Sequence, residues 1–181
     1  MNKQIIIERP KIYKTEIKIE GMTSLICNRR TEDKIKKTLK KKIYEDEKEF
    51  QGCLYPKLNG HYGFPASAIT KAVASIAKTH APGIDKTQVR GSFFIPQDYL
   101  EIEGKPTMRS DVVIVRGAAI RRVRAEFKTW KMKIPIEADE NGILDLTQIV
   151  NLIAIAGDKC GLGDWRPQKS GIHGRFKVLE K

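Results

Sequence analysis

The chain has 181 residues, and 34 Lys and Arg against 22 Asp and Glu give it a net charge of +12 at neutral pH. A hydrophobic fraction of 40% is enough for the core of one domain. A chain this basic is expected to meet a polyanion, with nucleic acid first and an anionic membrane surface second. Cys27, Cys53 and Cys160 are odd in number, far apart and form no C-x-x-C pair, which argues against a disulfide framework or a zinc knuckle and fits a reducing cytoplasm. The opening Met1 to Pro10 has three apolar residues before charge returns. That is too short for a signal peptide, and no apolar run reaches membrane-spanning length.

Ile12 to Gly21 alternates, with Tyr13, Thr15, Ile17 and Ile19 on one parity and Lys14, Glu16 and Lys18 on the other, as in a half-buried strand. Thr31 to Phe50 reads as a helix. Thr31 is its N-cap, Glu32 and Asp33 suit its dipole, and Ile35, Leu39 and Ile43 form a narrow apolar stripe among lysines. So thin a stripe marks an inserted element, whose lysines serve as a solvated face or as phosphate contacts. Gln51 to Pro65, with its glycines and prolines, predicts a loop. Pro65 to His80 predicts a helix with Ile69, Ala72, Val73 and Ile76 inward, ended by Pro82-Gly83.

Val89 to Ile95 reads as a strand, Tyr99 to Asp111 as loop, and Val112 to Val115 as a short apolar run. Ile120 to Ile136 reads as one long strand with a phase shift. Val123, Ala125 and Phe127 share one parity, while Trp130, Met132, Ile134 and Ile136 share the other, as a β-bulge or a sharp bend would produce. Asp145 caps a helix from Leu146 to about Lys159, with Gly157 or Gly161 as its C-terminal glycine, and Gly174 to Leu179 forms a last strand. The order strand, helix, strand, strand, helix, strand predicts an α+β, ferredoxin-like β-α-β-β-α-β domain. The arrangement is that of the RNA recognition motif, with a lysine-rich helical insertion, residues 28–63, after the first strand.

The chemistry concentrates in the glycine-rich loop from Gly161 to Arg175. It runs from helix to strand, opposite to a dinucleotide-binding loop, so no nucleotide cofactor is expected. Gly171 and Gly174 allow close backbone approach, Arg166, Lys169 and Arg175 supply charge, and Trp165 offers a stacking face. Arg175 leads as phosphate ligand because Gly174 leaves its approach open. A plain surface loop with Trp165 packed on the core remains the alternative. Arg122, Arg124 and Lys128 form a basic stripe facing away from Val123, Ala125 and Phe127. It carries no aromatic pair, so binding there leans on phosphates with little sequence preference. His61 and His173 are candidates for metal-independent cleavage of RNA, with Lys71 or Arg175 to steady developing charge. Motifs for metalloproteases, P-loop enzymes and serine hydrolases are missing, and no metal site is expected.

Two segments together resemble a family. Phe64-Pro-Ala-Ser-Ala-Ile-Thr-Lys-Ala72 is similar to the P-x-S-S-L-K-G-A opening of the RAMP superfamily, the ferredoxin-like RNA-binding proteins of CRISPR effector complexes. The glycine-rich loop sits where those proteins carry theirs, and Met22 to Arg29 is similar to their segment after the first strand. Ala68 departs from the second serine of that opening, and the usual glycine has no clear counterpart near Thr70 and Lys71. The resemblance implies a single RAMP-like domain over residues 1–181 that binds single-stranded nucleic acid, RNA ahead of DNA. It implies work as an oligomer or beside CRISPR-type subunits, without a cofactor, a membrane or necessarily any catalysis. It also allows two alternatives: a histidine-dependent endoribonuclease, or a phage or mobile-element protein that mimics a CRISPR subunit.

Overall fold

A computed structural model describes residues 10–29, 45–115 and 117–179. The larger part of the expected lysine-rich helix lies outside them. Within its expected span, Glu45 is extended and starts a separate short helix, α1 (Asp46–Gln51), which buries Phe50, so the expected helix does not run unbroken to Phe50.

The main sheet follows the alternation of its strands. β1 (Ile12–Gly21) pairs antiparallel with β9 (Lys131–Asp139), setting Ile17 against Ile134 and Ile19 against Met132. β10 (Phe176–Leu179) pairs with the far end of β1, and the short β5 (Phe93–Phe94) pairs with the far end of β9. The strand order is β10-β1-β9-β5, all antiparallel.

Two helices of 14 residues supply the second layer. α2 (Ser67–His80) buries Ile69, Ala72, Val73, Ile76 and Ala77. α4 (Leu146–Lys159) buries Ile149, Leu152, Ile153 and Ala156. Both join one core with the inward residues of β1, β9 and β10. Asp145 and Gln148 cap α4 reciprocally, and the left-handed Gly161 follows its C-cap, Cys160. Gly157 instead lies inside α4, where any side chain would run into Phe176 of β10.

Elsewhere the structure corrects the sequence reading. Val89 belongs to α3 (Lys86–Ser92), whose N-cap Asp85 and Gln88 form a capping box. Only Phe93 and Phe94 of the expected strand are extended. The expected loops hold strands: β3 (Lys57–Leu58) and β4 (His61–Pro65) before α2, then β6 (Tyr99–Ile102) and the start of β7 (Pro106–Val115). Pro106 is the first residue of β7, where a missing N–H does little harm.

The phase shift between Phe127 and Trp130 comes from a bend, one of the two causes expected, and the bend carries the chain from one sheet into another. β8 (Ala118–Phe127) lies between β7 and β2 (Leu25–Cys27), and the chain then bends at residues 128–130 to enter the main sheet as β9. Trp130 plugs the bend. It is buried beneath Gly21, its indole N–H donates to Thr23 O at 2.8 Å, and it meets Phe176 edge-on. The result is an α+β fold with three antiparallel sheets and four α-helices among the described residues.

Candidate nucleic-acid interface

The glycine-rich loop is fastened to the body by its backbone. Asp164 N–H donates to Ile26 O at 2.9 Å, Gly174 N–H to Ser24 O at 2.8 Å, and Leu162 N–H to Gly174 O at 2.9 Å. Gly161, Gly163 and Gly174 all have positive φ, the region in which L side chains are strained. A side chain at Gly171 would strike the Trp165 carbonyl, and one at Gly174 the Leu162 carbonyl. Gly174 is therefore required by the loop's packing on itself. That replaces the expectation that it keeps a path open to Arg175.

Trp165 anchors the cluster beneath this loop. Arg124 lies over its ring at 4.6 Å and Arg109 at 5.4 Å. Arg124 is only 8% exposed, and its Nε donates to Asp164 Oδ2 at 3.1 Å while its NH1 lies 3.7 Å from Asp111. Arg109 bridges Asp111 and Glu126 at 3.0 Å each. Two guanidinium groups thus face three carboxylates, and little positive charge is left for a phosphate. The expectation of an open basic stripe on β8 is corrected accordingly: Arg124 is buried and paired. Arg122 reaches Glu49 at 4.0 Å, Arg121 is bonded to Asp46, and only Lys128, in the bend after β8, is exposed without an ion pair among the described residues. Arg175 is likewise held, by Asp158. Contacts from Lys159 and Arg175 bring that carboxyl down to a pKa of about 2.

His173 joins the cluster from the loop. Its Nδ1 lies 2.9 Å from Ser24 Oγ, and Ser24 donates to Glu126 Oε1 at 2.7 Å. A hydroxyl has one proton and an ionised carboxylate can only accept, so these partners assign the proton to His173 Nδ1 and the lone pair to Nε2. Burial, aided by Arg109 and outweighing Glu126 and Asp111, lowers the His173 pKa from its ordinary value and favours the neutral ring. His61 is elsewhere, exposed on β4 opposite Leu58, and the two histidines do not touch.

The two motif segments, distant in sequence, meet at one cleft, and of the expected binding residues only Arg166 lines it. A cleft of about 290 Å³ is lined on one side by Ser67, Ala68 and Lys71 in the first turns of α2, and on the other by Gly161 to Asp164, Arg166 and Gln168. Asn28, at the end of β2, and Tyr55 also line it. The N-cap of α2 is Ala66, which has no side chain to satisfy the first-turn N–H groups. Lys71 is exposed and forms no ion pair among the described residues, and neither does Lys169 on the rim of the loop. Arg166 donates to Gly163 O at 2.9 Å and to Gln168 Oε1 at 3.0 Å, both neutral, so among the described residues its charge stays uncompensated. From the sequence, Lys71 is a candidate only for steadying charge in catalysis. Asp164, the hinge of the Trp165 cluster, gives no local signal in the sequence, because its partners Asn28 and Arg124 are 136 and 40 residues away.

All three cysteines are free and buried, and burial pushes the Cys27 thiol upward. Among the described residues no group of His, Cys, Asp and Glu could hold a metal ion, and no helix is long and apolar enough to cross a membrane. No protein-family model and no curated protein matches the chain. Among solved structures it is similar to the crystal structure of Cmr6 from Pyrococcus furiosus, at 11% identity and a TM-score of 0.44 over 93% of this chain and 99% of that one. That is a loose likeness of chain path, and no residue role is transferred on it.

Proposed function

We propose that this chain is a ferredoxin-like, RAMP-type protein, a single domain with an insertion at residues 28–63, that holds a single strand of nucleic acid, RNA ahead of DNA. The observation that carries the reading is the convergence of the Phe64 to Ala72 segment and the glycine-rich loop, about ninety residues apart in sequence, on one cleft. The strand order supports the fold assignment, because the first strand lies between the fourth and third and the second is at the edge, when β1, β5, β9 and β10 are counted in turn.

Uncompensated cations carry the binding. Lys71, Arg166 and Lys169 contact phosphates, with Lys128 as an outlying contact. Arg122, Arg124 and Arg175 hold the fold around the cleft through their carboxylate partners. Trp165 is covered by the guanidinium groups of Arg109 and Arg124 and positions the loop, while Gly171 and Gly174 shape it. Work beside copies of the same chain or CRISPR-type subunits belongs to this reading, as does its phage-protein variant. The test is affinity for a generic single-stranded RNA across a salt series. Affinity should fall steeply with salt, and Lys71→Ala and Arg166→Ala should each weaken it; binding indifferent to salt would overturn the phosphate model.

One observation favours a second reading, an endoribonuclease. His173 is neutral, oriented by Ser24 and Glu126, and presents Nε2 as an acceptor suited to a general base. Labelled RNA incubated with a chelator should then be cut by the parent and by His61→Ala but not by His173→Ala. Absence of cleavage by the parent dismisses it.

A further inference from the structure

Asp164 has no obvious place in a cleft meant for phosphates, since a carboxylate there repels them. Its geometry explains what it offers. Oδ2 accepts from Asn28 Nδ2 at 2.9 Å and from Arg124 Nε at 3.1 Å, and the Asp164 backbone is fixed by its N–H bond to Ile26. Among the described residues Oδ1 has no donor, and the side chain is 37% exposed where the residue lines the cleft. The carboxylate is thus held rigidly by one oxygen and presents the other as an acceptor. A phosphodiester has no proton to give it. The parts of a nucleotide that do are the ribose 2′-hydroxyl and the amino or imino edges of a base. Lys71, the uncapped start of α2 and Arg166 line the same cleft, and all of these favour an anion. A cleft of about 290 Å³ takes one nucleotide unit.

We propose that the cleft is a ribonucleotide subsite, in which Lys71 and Arg166 meet the phosphate and Asp164 Oδ1 accepts the 2′-hydroxyl proton, so that RNA is told from DNA here. The inference rests on the single-strand reading above and names what that site selects. The 2′-hydroxyl is favoured over a base edge for two reasons. It lies within a bond or two of the backbone whose phosphate the cleft holds, and it is present on every nucleotide whatever the base, so one fixed acceptor can meet it all along an RNA strand.

The test uses the full chain and three oligonucleotides of one length: oligo(U), oligo(dU) and 2′-fluoro-oligo(U). The last keeps an RNA-like sugar pucker but has no 2′ proton. Oligo(U) should bind about tenfold or more tighter than either of the others at matched salt, the scale expected when a hydrogen bond to a charged acceptor is lost. Asp164→Asn should shrink that gap, whereas Lys71→Ala should lower all three affinities alike. Equal, salt-dependent binding of all three overturns the ribonucleotide subsite and leaves the single-strand reading standing. A gap that survives in Asp164→Asn overturns the assignment to Asp164. If none of the three binds, the underlying reading falls as well. The wild-type comparison needs no variant to fold.

Discussion

Gly174→Ala tests whether the glycine-rich loop is a rigid wall built by its own packing. Gly174 is buried at φ +72°, and a left-handed alanine costs about 1–2 kcal/mol. A new Cβ would also strike the Leu162 carbonyl, so the two sides of the loop must part, and the Leu162 N–H to Gly174 O bond is weakened at a further cost of about 1 kcal/mol. The expected loss is about 2–3 kcal/mol, which for a chain of this size lowers Tm by roughly 4–12 °C. Gly83→Ala is the comparison. Gly83 has φ +84° but nothing within 4 Å of a Cβ, so it carries only the backbone cost of about 1–2 kcal/mol. Urea unfolding of both variants, followed by far-UV circular dichroism, gives the difference. If Gly174→Ala destabilises no more than Gly83→Ala, the loop is not tightly packed at this point and the argument about its rigidity is wrong.

Three further outcomes are expected. In a salt series, the slope of log K against log salt should be about −2 for the contacts at Lys71, Arg166 and Lys169 on a single strand and about −3 with Lys128 included, and Lys71→Ala or Arg166→Ala should flatten it by about 0.7 each, read by fluorescence anisotropy. An NMR titration should place the His173 midpoint below 6.5. Because the folded-state pKa is lowered, the stability linked to this ring is complete above pH 6.5 and is lost as pH falls through the folded value, so a midpoint above 6.5 contradicts the desolvated site. Asp158 is shifted the same way relative to its unfolded value of 3.8. Its contribution is present above that value and disappears as pH falls toward 2, so Asp158→Asn should flatten the acid limb of the stability curve between those limits, and an unchanged limb refutes the Arg175 and Lys159 pairing.

Much of the main sheet and its two long helices was legible in sequence, because period and capping agree there. Ile17 and Ile19 alternate with charge, and Asp145 precedes its helix with Gln148 three residues on. The α3 capping box was legible too, in Asp85 and Gln88, but the alternation of Val89, Phe93 and Ile95 masked it. Gly104 and Pro106 made strand residues look like loop. Gly104 is required because Thr129 O and Trp130 press on it from the bend, a contact between segments that no local pattern displays. The site was half legible. Its two motifs were visible as segments, but which cations remain uncompensated depends on partners such as Asp111 and Asp164, and those become neighbours only after folding.

The most direct measurement is photocrosslinking of a bound 4-thiouridine RNA, with the attached peptides mapped by mass spectrometry. Crosslinks should fall on the cleft, at Tyr55, the segment from Phe64 to Lys71 and the loop from Gly161 to Lys169. Crosslinks confined to the open face of the main sheet, or to the outer part of the β7–β8 hairpin around the exposed Val112 and Ile114, would contradict the account.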